Sequence, residues 1–158
     1  MKKALVVGVL TLSFCGYGFA GSNIKDDIIG TWAMLPTIEG FANVIEFRPD
    51  NTEYFYPFTC DWDNRKVIKG TMYKGKMIGE PVEKYIYTHT ISDDLISVTF
   101  NNEKEPFITL KFKGIEKVGR KTFMNLTKID KLGNEEINFS YVKTDKIQPV
   151  CPPYFEKE

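Results

Sequence analysis

The sequence predicts an all-β protein: an antiparallel up-and-down barrel of eight or nine strands, entered through a short N-terminal helical turn. Three observations carry this reading. From residue 31 onward the chain is a run of short period-two segments, about one every ten residues, each closed by turn residues. No stretch sustains a period of 3.6. Aromatic residues make up 14% of the chain (12 Phe, 8 Tyr and 2 Trp), a bias that suits pleated, half-buried surfaces. A meander of this kind satisfies its edge strands best by closing on itself.

Ahead of the strands, Met1 to Ala20 read as an export signal. Lys2 and Lys3 form a positive start, Ala4 to Phe14 an apolar run, and Gly18-Phe19-Ala20 a cleavage site with small residues where a signal peptidase reads. The run is too short for a permanent membrane span. The mature chain is therefore expected to be one domain over residues 21–158, working in the periplasm or secreted. Lipid anchoring through Cys15 is the minor alternative. It is disfavoured because Phe14 stands where a lipobox needs a small residue.

The elements then follow in order. Ser22 or Asn23 caps one helical turn, with Asp26 and Asp27 near its positive end, and Gly30 stops it. Thr31 to Met34 is the first strand. Val44 to Arg48 places Ile45 and Phe47 on one face, and Pro49-Asp50-Asn51 turns the chain. Glu53 to Trp62 puts Tyr54, Tyr56, Phe58, Cys60 and Trp62 on a common side, with an irregularity at Pro57. Arg65 to Tyr73 is a more polar strand, followed by a link punctuated at Lys74-Gly75-Lys76 and Gly79-Glu80-Pro81. Val82 to Ile91 shows Tyr85, Tyr87, His89 and Ile91 on one face. Ser92-Asp93-Asp94 turns into Leu95 to Phe100, which shows Ile96, Val98 and Phe100. Phe107 to Lys113, Thr122 to Ile129 and Ile137 to Lys143 complete the set, the last with Ile137, Phe139 and Tyr141 inward. Gln148 to Tyr154 is an extended, proline-rich tail.

After loss of Cys15 with the signal, Cys60 and Cys151 remain as an even pair in an oxidising compartment, and a disulfide between them is expected. It closes a loop of about 90 residues, for which chain entropy gives roughly 4–5 kcal/mol. Lys+Arg and Asp+Glu balance at 21 each, and removing Lys2 and Lys3 leaves 19 against 21, a net charge of −2. That weak, scattered charge gives no general field for nucleic acid or an anionic membrane. The acceptor patterns at Asn125-Leu126-Thr127 and Asn138-Phe139-Ser140 fall inside predicted strands and read as chance.

Ile28-Ile29-Gly30-Thr31-Trp32, a helical turn leading into the first strand, resembles the Gly-x-Trp signature of the bacterial lipocalin-like (calycin) barrels. The hairpin from Val44 to Tyr54 and the passage from Tyr85 to Val98 are similar to the same domains, so the resemblance spans the order of elements across most of the mature chain. It implies that Trp32 closes the narrow end of a barrel whose mouth takes small apolar ligands. It also implies an arginine packed on that tryptophan near the last strand. No arginine follows Arg120, so only Lys143 can stand in, without the planar stacking face. The other signatures of the family are missing.

No constellation of residues points to a reaction, and the chain reads as a non-enzyme that needs no cofactor. His89 is the only histidine, no Gly-x-Ser-x-Gly elbow occurs, and one histidine with bridged cysteines leaves no zinc set. His89 reads as a barrel-lining or satisfied core group. Asp61-Trp62-Asp63-Asn64 lacks the glycine and distal glutamate of a helical calcium loop, and Asp26-Asp27 and Asp93-Asp94 read as a helix start and a turn. The strongest candidate is the aromatic face of Tyr54, Tyr56, Phe58 and Trp62 with Tyr85, Tyr87 and His89, because tyrosines give a cavity flat walls with hydrogen-bonding ends. Structural filling of a small barrel is the competing reading. The expectation is a binder of a small apolar or aromatic molecule. The alternative is a protein-interaction module, an enzyme inhibitor or envelope-assembly accessory, using a loop such as 61–65 or 74–83.

Overall fold

Short alternating segments separated by tight turns fold into consecutive hairpins, and eight of the strands close into an antiparallel barrel. The computed structural model describes residues 23–37, 40–61, 66–69, 71–73, 76–78, 84–100 and 103–151. The signal segment 1–20, Trp62 and the loop 61–65 beyond Asp61 lie outside them. One helical turn, α1 (Ile24–Asp27), precedes β1 (Gly30–Met34), β2 (Phe41–Phe47) and β3 (Thr52–Asp61). A side excursion holds β4 (Lys66–Lys69), β5 (Thr71–Tyr73) and β6 (Lys76–Ile78). The meander resumes with β7 (Tyr85–Ser92), β8 (Leu95–Phe100), β9 (Ile108–Val118), β10 (Lys121–Ile129) and β11 (Glu135–Thr144).

Around the ring each strand pairs with its neighbour: β1 with β2, β2 with β3, β3 with β7, then β7 to β11 in sequence, and β11 back to β1. Closure leaves no free edge within the ring. The excursion departs from the single polar strand expected over 65–73. There β4 extends the far half of β3, and β5 with β6 forms a separate hairpin. β9 also runs on to Val118, past the expected end at Lys113. The two-fold alternation slips at Gly114, which lies at φ +128° opposite a register shift between Asn125 and Leu126. An apolar and polar count cannot see through such a bulge.

Turn chemistry fixes one end of the barrel. Asn51 and Asp93 adopt left-handed backbone (φ 63° and 53°), which short polar side chains tolerate, and so set the β2–β3 and β7–β8 hairpins. At that same end Asn23 caps α1 by accepting from the Lys25 backbone N–H. Ile24 and Ile28 of this segment pack on the main core. Trp32, fully buried, donates from Nε1 to the Ile28 carbonyl at 2.7 Å. Lys143 crosses this end, its Nζ 4.9 Å from the Trp32 ring centre and 3.2 Å from the Ile29 carbonyl it donates to. Gly30 is favoured here by its φ of +123°, and a Cβ would also crowd Cε of Lys143 at 3.3 Å.

Two apolar clusters result. The inner one fills the barrel with Trp32, Phe47, Ile96, Met124 and Leu126 among its members. The second lies outside β1–β3, where Ala33, Ala42, Val44 and Phe58 are covered by the tail residues Val150 and Cys151. The small side chains Ala33 and Ala42 let the tail approach. A disulfide from Cys60 to Cys151, with 5.5 Å between Cα atoms, ties it down. It spans 91 positions, so its chain-entropy contribution is on the order of 4–5 kcal/mol.

Candidate functional site

The end of the barrel away from α1 is not filled. Between β2, β3, β7, β8, β9 and β11 lies a cavity of about 220 Å³. Aliphatic side chains of Ile45, Val98, Ile108 and Leu110 form part of its wall, and rings from Phe55, Tyr87, Phe107 and Phe139 form much of the rest. Three polar side chains also line it: Asn43, Glu53 and Tyr141.

Hairpin register places these groups. Phe47 and Ile45 point into the barrel, so their cross-strand partners Glu53 and Phe55 do too. Asn43 follows Ile45 with the same period of two. Glu53 sits opposite Tyr87, and Tyr141 opposite both Met34 and Met124.

The rings form a connected array at the open end. Tyr87 stacks on Phe107 (5.8 Å between centroids, 11° between planes) and meets Phe55 edge-on at 6.0 Å. Phe107 is itself 66% exposed, so the array runs from the cavity wall to solvent. Its backbone N–H donates to the Val98 carbonyl, which pins the ring at the rim.

The polar groups are buried and incompletely paired. Glu53 is 3% exposed and its Oε2 has no hydrogen-bond partner. Burial pushes its carboxyl up to about 8, so it is predominantly protonated at neutral pH. Asn43 donates from Nδ2 to the Met34 sulfur at 3.1 Å, while its Oδ1 is unpaired. Burial also drives the Tyr141 phenol above its ordinary range. Such atoms cost free energy when sealed in an apolar interior, and a cluster of them calls for a partner.

The seven residues proposed from sequence are not brought together. Tyr87 lines the cavity. Tyr85 shares the inner face, its ring 6.4 Å from Phe55 and 6.2 Å from Tyr87. His89 is buried on the same face but toward the filled end, edge-on to Phe47 at 5.3 Å. Both its ring nitrogens are unpaired, so it lines the barrel without being a satisfied core group. Burial, with Lys25 acting in the same direction, lowers its pKa and keeps it neutral. Tyr54, Tyr56 and Phe58 belong to the outer face: Lys84 Nζ and Arg48 Cζ lie 3.9 Å and 4.8 Å from the Tyr54 ring, and Tyr56 and Phe58 pack in the outer cluster. Trp62 is outside the described residues.

Sequence reasoning missed Glu53, Asn43, Phe55 and Tyr141 as one constellation. A signal existed. With Ile45 and Phe47 inward, the five-residue connection 48–52 pairs Phe47 with Glu53 and turns 53, 55 and 57 inward, leaving 54, 56 and 58 outside. Compared with known proteins, the chain matches no family model, no curated protein and no solved structure at a significant level.

Proposed function

We propose that the protein is an exported binder of one small, largely apolar or aromatic molecule, held in the open half of the barrel. The observation that carries the reading is the cavity itself: a ring-walled space with unpaired polar atoms inside the barrel. An apolar cavity of about 150 Å³ accommodates benzene, so about 220 Å³ suits one aromatic ring with a short substituent. The sequence of Met1 to Ala20 and the Cys60–Cys151 bridge support an exported setting. Gly30-Thr31-Trp32 at the plugged end, with Lys143 in the position expected of an arginine, supports kinship with lipocalin-like barrels. The reading assigns no catalysis.

Calorimetric titration with benzyl alcohol tests it. Saturable binding at one site is expected, abolished in Val98→Phe, whose larger ring fills the cavity while far-ultraviolet circular dichroism stays unchanged. No heat with benzyl alcohol or toluene, or equal binding by the variant, would contradict it.

One observation favours a second reading, a protein-binding rim. Phe107 and Leu132 are 66% and 86% exposed, and both border a wide groove between the β8–β9 and β10–β11 connections.

A further inference from the structure

We propose that the molecule taken by this cavity is a small organic ammonium ion with an apolar body, its N–H groups directed at Glu53, Asn43 and Tyr141 and its body among Phe55, Tyr87, Phe107 and Phe139. The inference rests on the cavity-binding reading above and narrows it to one chemical class. It follows from an inventory of what the walls offer and what they lack.

The unpaired atoms are oxygens, one of which accepts always and the other once Glu53 is ionised. Asn43 has its amide nitrogen engaged by the Met34 sulfur and presents a bare Oδ1. Glu53 presents a bare Oε2, and its residue is almost wholly buried. Tyr141 adds a buried hydroxyl that is already hydrogen-bonded with the Asn43 side chain and keeps room to accept. Among the described residues lining the cavity there is no lysine, arginine or histidine. A carboxylate or phosphate ligand would therefore find no cation to pair with. A hydrocarbon would leave Glu53 and Asn43 buried and unpaired. An alcohol has one proton to offer. A primary ammonium has three, enough for the two bare oxygens and the Tyr141 hydroxyl oxygen together, and the electron-rich faces of the surrounding rings favour a cation further.

Charge bookkeeping around Glu53 agrees. The titratable groups that feel its charge are Tyr87 on β7 and Tyr141 on β11, and neither can be cationic. Lys25 and Asp50 act on His89 at the filled end. Among the described residues Glu53 thus has no counter-ion, and burial alone raises its pKa. Entry of an ammonium supplies that counter-ion. The Glu53 carboxylic proton leaves to buffer, the carboxylate pairs with the bound ammonium, and the ligand keeps all its own protons.

The test compares benzylammonium with benzyl alcohol, two probes of nearly equal shape, titrated calorimetrically into the full protein between pH 6 and pH 8. Benzylammonium is expected to bind more tightly, with affinity rising roughly tenfold from pH 6 to pH 7 as Glu53 gives up its proton, and with proton release visible as a buffer-dependent heat. Benzyl alcohol affinity is expected to stay flat. In Glu53→Gln, benzylammonium should weaken at least tenfold while benzyl alcohol is retained. If benzyl alcohol binds as tightly as benzylammonium, or if a preference for the amine is pH-independent and survives Glu53→Gln, the ammonium inference falls and the cavity reading stands. If neither probe binds, both fall.

Discussion

The two halves of this barrel are built from the same strands and solve opposite problems. At the α1 end, Ile28, Trp32 and Phe47 are each essentially inaccessible, and Trp32 Nε1 has a partner. Asn43 lies further along β2, and together with Glu53, the cross-strand partner of Phe47, and Tyr141 of β11 it faces a space they do not fill. Well-packed aliphatic and indole groups contribute stability; a buried carboxyl without a partner subtracts from it. A barrel this small needs only its side chains to fill it. Keeping one half open and polar therefore costs stability that a ligand can restore.

That contrast can be broken most sharply by truncating one ring from each half. Trp32→Ala removes a fully buried indole and its hydrogen bond, and should cost about 3–5 kcal/mol in urea unfolding. Phe107→Ala, at the exposed rim, should cost under about 1 kcal/mol. Equal costs would erase the distinction between a structural and a binding end.

The next largest effect is the pH dependence that Glu53 imposes. Its carboxyl titrates near 8 in the folded protein and near 4.5 when free, so between those values the native state holds a proton that the unfolded chain has released. Stability should therefore fall as pH rises through this window, by up to about 1.4 kcal/mol per pH unit from this group. Glu53→Gln removes that slope, so its advantage over the wild type should grow by about 3–4 kcal/mol between pH 5 and pH 8. Parallel stability curves would show that Glu53 is solvated or paired.

A smaller effect sharpens the filled end. Lys143→Met keeps the aliphatic stem over Trp32 but removes the cation and its bond to the Ile29 carbonyl, and should cost about 0.5–1 kcal/mol in urea unfolding. Lys143→Arg should restore it. If Met and Arg behave alike, packing of the stem is all that Lys143 provides there.

Much of the scaffold was legible because its signals are local. Asn23 as cap, Asn51 and Asp93 in their turns, and the alternation of β7 and β8 all follow from a residue and its near neighbours, while the Cys60–Cys151 pairing follows from the two cysteines left beyond the signal segment. The site was legible only in part, because an interior is defined by pairing between strands. Tyr54, Tyr56 and Phe58 form a more aromatic face than Glu53, Phe55 and Pro57, and hydrophobicity alone points that richer face inward. In the fold it is inverted, since the tail from Val150 to Cys151 supplies a second apolar layer outside β3. Glu53 reads as a solvent residue until its pairing with Phe47 is considered. Ile137, expected inward, is on the correct alternation but lies near the open rim and is 48% exposed.

The central claim is that this barrel has a filled half and a binding half, and methyl NMR during titration with benzyl alcohol tests it most directly. Saturable shifts are expected at the methyl groups of Ile45, Val98, Ile108 and Leu110, with Ile24 and Ile28 unmoved. Shifts spread evenly over both sets, or absent from both, would contradict it.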